Sequence, residues 1–231
     1  LNAWVVAVFG QRYGYIATLI LFTTGSIVAG LADSFNMLVA GRVMQGMATG
    51  IIQPLIMVTV FQVFPVERRG FALGIYSMGL VLAIALGPPV GGVALELLNW
   101  RYIFWLPLPL LLIALPLGMV FMPSVRKSGG QAFDWVGYIL IAVTLFCIMT
   151  VLTDGPRKGW TSDHILILSM LGIFCGLGFV KSQRRDKETL IDISLFTNKH
   201  FVIVLFVTFF SGIGNFATTY AFPVFTQLVQ G

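Results

Sequence analysis

Seven long apolar runs, separated by short polar gaps, organise the chain. They cover residues 15–32, 37–61, 71–95, 102–122, 135–153, 165–180 and 201–228. About 20 apolar residues in a helix cross a hydrocarbon core of about 30 Å. Inside lipid every backbone polar group needs an internal partner, so such runs are helices. The pattern therefore predicts an all-α, polytopic transmembrane helical bundle of about seven spans. A shorter stretch, Ala3 to Phe9, precedes them and reads as the end of a further helix.

The third run has the most distinctive internal pattern. No charged residue occurs from Phe71 to Leu95, and Gly79, Ala83, Gly87 and Gly91 recur at every fourth position. That spacing aligns them on one helix face, where another helix can approach closely. Pro88 and Pro89 follow Gly87 directly. Proline removes a backbone donor and crowds the preceding turn, so a bend is expected there.

Composition and charge sharpen this picture. Only 10% of the 231 residues are charged and 58% are hydrophobic. A soluble domain carries about 25% charged residues, so a water-soluble fold is excluded. Mean hydropathy is +0.93. The net charge of +5 does not point to nucleic acid, because the basic residues sit in the gaps between spans. On one side of the membrane fall Arg12, Arg68, Arg69, Arg126, Lys127, Lys181, Arg184, Arg185, Lys187 and Lys199. On the other fall Arg101, Arg157 and Lys158. This bias places the first set in the cytoplasm. Cys147 and Cys175 both lie within apolar runs, and neither a disulfide, a metal site nor a cofactor is expected.

Arg42 is the leading candidate for chemistry, because it lies inside the second run. A charged residue at mid-membrane costs roughly 2.5–3.5 kcal/mol on insertion scales, so its presence points to function. Gln45, Thr49 and Gln53 follow it at helical spacing and form a polar stripe, with Gly46 and Gly50 alongside. The competing reading lets Arg42 snorkel to the outer interface and bond loop carbonyls. In the last run Asn215 and Thr219 lie one turn apart, and the expected role is bonding across helices. The nine acidic residues avoid the middle of every span. A proton-driven carrier commonly keeps a titratable group within the membrane, so this chain is not expected to be a complete proton-driven machine. His164 and His200 sit at span edges, and no enzyme motif is visible. A channel would need polar faces on several helices, and only the second span clearly has one.

In these motifs the chain resembles the major facilitator superfamily, and within it the 14-helix drug:proton antiporters. Gly79 through Gly92 is similar to the fifth-helix antiporter motif, matched at Gly87, Pro88, Gly91 and Gly92. Arg42-Val43-Met44-Gln45-Gly46 resembles the fourth-helix Arg-x-x-Gln-Gly motif, so the resemblance implies that Arg42 serves proton transfer and coupling. Asn99 to Phe104 and Ile191 to Phe196 resemble two further family segments. Gly10 and Arg12 match remnants of the family's cytoplasmic loop motif without its Asp-Arg pair, and the alternative register, aligning Arg12 and Gly14, puts Gln11 where the aspartate belongs. The charge relay that gates conformational change is therefore expected to be degraded.

The resemblance implies a secondary transporter, not an enzyme, that exports drugs or other amphipathic compounds in exchange for protons across the cell membrane. Its partners would be the lipid bilayer, a small-molecule substrate, protons and the remaining transporter helices. Residues 1–122 would belong to the N-terminal bundle, 123–134 to a cytoplasmic connector and 135–182 to two additional helices. Residues 183–231 would supply a connector and the first helix of the C-terminal bundle. On this reading the chain is a fragment of a longer carrier. The alternative is a truncated, non-transporting membrane protein with a structural or regulatory role.

Overall fold

The computed structural model describes residues 2–124, 134–185 and 193–230. The expected connector around Lys127 to Gln131 and the motif residues Ile191 and Asp192 lie outside them. Helices α1 (Asn2–Gly30), α2 (Phe35–Val63), α3 (Val66–Leu97), α4 (Tyr102–Trp105) and α5 (Leu108–Phe121) come first. Helices α6 (Trp135–Lys158), α7 (Asp163–Arg185) and α8 (Lys199–Gln230) follow. Seven helical stretches among the described residues are long and apolar enough to cross a membrane. The short α4 and α5 together make one of them. Two compact units divide at Phe133 and Asp134.

In the first unit α1 is the hub, packing on α2, α4 and α5. Its backbone breaks at Gly10, where φ is 76° and ψ is 168°. A side chain is disfavoured at such a φ, so glycine is the residue that makes the break. The break turns the preceding segment back, and a Cβ on Gly14 would lie 3.1 Å from the Val5 side chain. The initial stretch is thus a helical piece set apart from the span, as its apolar pattern suggests. The span itself resumes directly after Gly10, several residues before Tyr15, where the apolar run begins.

Side-chain contacts pair the loops end with end. At the end carrying Arg12, its Nε donates to the Met122 carbonyl at 2.8 Å, closing an orphan acceptor at the end of α5. The amide of Gln11 donates to Thr59 Oγ1 at 3.0 Å. Arg69 donates to the carbonyls of Phe61 and Phe64 at the end of α2. At the opposite end Arg101 donates to the Ala32 carbonyl at 2.9 Å and meets Asp33 at 3.3 Å. Loops assigned to the same side by charge therefore touch each other, and the up-and-down order of the helices is internally consistent.

Helix α3 carries the small-residue stripe of the third run. It stays helical through Pro88 and Pro89. A Cβ on Gly79, Gly87, Gly91 or Gly92 would meet nothing within 4 Å. The stripe of small residues therefore faces no helix among the described residues.

In the second unit α6 and α7 form an antiparallel hairpin. Asp134 caps α6, accepting from the Gly137 amide at 2.7 Å through Oδ1. Its Oδ2 accepts from Gln183 Nε2 at 2.6 Å, which ties the start of α6 to the end of α7. Gly172 lets Cys147 of α6 approach to 3.0 Å from where a Cβ would stand. Replacing Asp134 by Ala removes both the cap and the bridge, and a loss of about 2 kcal/mol is expected. Thermal unfolding of the detergent-solubilised protein checks this, and Asp134→Asn is expected to retain part of the loss. Helix α8 packs against the 3₁₀ turn Ile193–Thr197 before it. Thr219 was expected to bond across helices; its hydroxyl instead donates to the Asn215 carbonyl at 2.9 Å. The reason is local: that stretch of α8 is exposed, so its own backbone is the nearest acceptor.

Candidate functional site

The site is built where α1 and α2 come closest. A Cβ on Gly41 would lie 2.7 Å from both the Ala29 nitrogen and the Gly25 carbonyl oxygen. A Cβ on Gly25 would lie 2.8 Å from the Gly41 carbonyl oxygen. Backbone therefore meets backbone, as small residues at a membrane helix crossing allow. One turn along α2, this proximity brings Gln45 onto Ser26 of α1.

Gln45 is 5% exposed and Ser26 is fully buried. Gln45 Nε2 donates to Ser26 Oγ at 2.8 Å. Its Oε1 accepts from Arg42 Nη1 at 3.2 Å. Arginine has only donors, so the amide oxygen must face Arg42 and the amide nitrogen must face Ser26. The Arg42 guanidinium also lies 5.9 Å above the ring of Phe104 in α4. Among the described residues its hydrogen bond goes to Gln45 and not to a loop carbonyl. The helix carries Arg42 about 10 Å below the start of α2, at 1.5 Å per residue.

The rest of the expected stripe separates from this cluster. Thr49 is spent on its own helix, its hydroxyl donating to the Gln45 carbonyl at 2.8 Å. Gln53 lies further along and lines a cleft of about 510 Å³ between α2 and α3 with Met57, Phe61 and Tyr76. Gly46 and Gly50 stand beside the stripe, but a Cβ on either would meet nothing within 4 Å. Gly10 makes the α1 break and Arg12 caps α5, so these two loop residues act separately. Gln11, at the expected acid position, is fully buried, and its Oε1 has no hydrogen-bond partner among the described residues. Gly79, Gly87, Pro88, Gly91 and Gly92 remain apart, on α3.

Ser26 and Phe104 were missed by sequence reasoning. A serine in an apolar helix carries little signal, because hydroxyls there commonly bond their own backbone, as Thr18 and Thr23 do. Phe104 lay inside a segment noted for its similarity to a family signature, with nothing to pair it with Arg42.

Seven membrane-length helices among the described residues, with Ser26 and Gln45 buried between two of them and Arg42 beside the pair, define a multi-pass α-helical protein of the cell membrane. The family model described as Major Facilitator Superfamily matches residues 1–231. The chain belongs to that superfamily of transporters. It is 26% identical over 231 residues to the uncharacterised MFS-type transporter YhcA of Bacillus subtilis, covering all of this chain and 43% of that protein. It is 33% identical over 204 residues to the lincomycin resistance protein LmrB of Listeria monocytogenes, covering 88% of this chain and 43% of that protein. It is 30% identical over 206 residues to the multidrug export protein EmrB of Haemophilus influenzae, covering 88% and 40%. The chain thus spans less than half the length of these relatives.

Proposed function

We propose that this chain is part of a proton-coupled secondary transporter that exports drugs or other amphipathic compounds, and that Arg42 serves the coupling. The observation that carries the reading is a guanidinium about two turns inside a membrane-length helix, hydrogen-bonded to a buried amide, in a chain of this superfamily. Keeping such a charge in a membrane span is costly, and its presence there supports a functional role. Relatives named for lincomycin resistance and multidrug export support the substrate class. The role is transport, not catalysis.

The chain's span of less than half of its relatives supports its being a segment of a longer carrier. Residues 1–122 then belong to the N-terminal bundle, and Gly79 to Gly92 of α3 seal it against helices outside the chain. Residues 123–134 are the connector, 135–182 the two additional helices, and 183–231 lead into the C-terminal bundle. For the chain on its own, the open space beside the α3 stripe among the described residues favours the second reading: helices that fold but do not cycle.

The test uses the whole transporter in liposomes, with acid imposed on its extracellular face. Ethidium is expected to move against its gradient toward that face, and a protonophore is expected to abolish the movement. Ethidium flux that ignores the pH gradient would overturn the proton coupling.

A further inference from the structure

We infer that Ser26 and Phe104 are positioning residues for Arg42, acting through Gln45 and through the aromatic face respectively; this rests on the transport reading above. The guanidinium has two fixed neighbours and each is held by a different helix. Gln45 supplies the acceptor, but a glutamine amide turns freely unless its other end is tied. Ser26 ties it: the bond is 2.8 Å, the hydroxyl is fully buried, and Gln45 is almost so. At that burial no solvent replaces the lost acceptor, so an amide without Ser26 reorients to satisfy its N–H groups. Reorientation takes Oε1 away from Arg42. Phe104 limits the other direction, with its ring face beneath the guanidinium in the geometry of a cation–π contact. Together they hold a long, otherwise mobile side chain near one rotamer. Both residues are uncharged and neither titrates, so their effect is on where the charge sits.

The experiment separates positioning from stability and from the transport reading itself. In liposomes holding the whole transporter, Ser26→Ala is expected to slow pH-gradient-driven ethidium export about fivefold or more, the effect of one hydrogen bond to a charged network. Ethidium counterflow, which needs no proton gradient, is expected to stay within about twofold of wild type. Ser26→Cys keeps the volume and a weak acceptor, and is expected to be intermediate. Phe104→Leu is expected to slow driven export about two- to threefold. A purely structural role would lower driven export and counterflow together, and that result overturns the inference. So does driven export at the wild-type rate in Ser26→Ala while Arg42→Ala is defective. A readout independent of transport covers the case in which wild type exports no ethidium. In arginine-¹⁵N-labelled protein the Arg42 guanidinium signal is assigned by its loss in Arg42→Ala. Its exchange with water is expected to be about fivefold faster in Ser26→Ala. Unchanged exchange overturns the positioning, whatever becomes of the transport reading.

Discussion

An Arg42→Ala variant of the whole transporter is expected to fold and insert, and to lose proton-driven drug export by about 100-fold. That figure lies in the upper part of the range of about 5–150-fold produced by coupling free energies of about 1–3 kcal/mol. Folding survives because two effects offset each other. Removing the charge relieves part of an insertion cost that reaches roughly 2.5–3.5 kcal/mol at a helix centre. It also strips the donor from Gln45 Oε1, at about 1–3 kcal/mol for a buried acceptor left alone. Gln45 keeps its bond to Ser26, so the contact between α1 and α2 stands. The measurements are the melting temperature in detergent and the rate of ethidium export under an imposed pH gradient. Wild-type export in the variant removes Arg42 from the mechanism. A variant that does not accumulate as folded protein makes Arg42 a structural residue instead.

The spans were legible because lipid leaves the backbone few choices. An apolar run of sufficient length must be helical there, and all seven runs lie in helices, the fourth split between α4 and α5. Their ends were less legible, since hydropathy marks the edge of the hydrocarbon and not the end of the helix. Helix α3 begins at Val66, ahead of Phe71, and takes Glu67, Arg68 and Arg69 into its first turns. These charges sit where headgroups and water accept them, and Arg69 uses the position to close carbonyls of α2. Within the site, Arg42 and Gln45 could be paired from sequence because residues three apart on a helix are neighbours. Ser26 and Phe104 could not, since their contact with the pair depends on how three helices cross. The glycines show the same limit. Regular spacing singled out Gly79, Gly87 and Gly91, and Gly46 with Gly50, yet a Cβ added to any of them would meet nothing within 4 Å. The glycines that close the first unit, Gly25, Gly30, Gly41 and Gly118, follow no such period. Each is matched to a particular partner: Gly30 to Trp105 and Gly118 to Tyr15. Spacing along one helix reports which residues share a face; it does not report which face meets a neighbour.

Gly41→Leu is expected to prevent the first unit from assembling, and Gly41→Ala to destabilise it by about 1–3 kcal/mol, the usual cost of overpacking. The atoms a new Cβ would meet are the Ala29 nitrogen, the Gly25 carbonyl oxygen and the Ala29 Cβ, all within 2.9 Å. None of these belongs to a flexible side chain that can swing aside, so the helices must separate. Gly46→Ala is the comparison, because a Cβ there has no neighbour within 4 Å. It is expected to stay within about 1 kcal/mol of wild type, the scale of the helix-propensity difference between glycine and alanine. Thermal unfolding of the purified transporter gives both numbers. Separation also has a functional consequence. Gln45 reaches Ser26 only because the two backbones touch one turn away, so Gly41→Ala lengthens that hydrogen bond and loosens Arg42. Driven export is therefore expected to fall even in the fraction that remains folded, while counterflow in that fraction is retained. Gly41→Ala protein as stable and as active as wild type would mean that α1 and α2 do not approach as closely as their glycines allow.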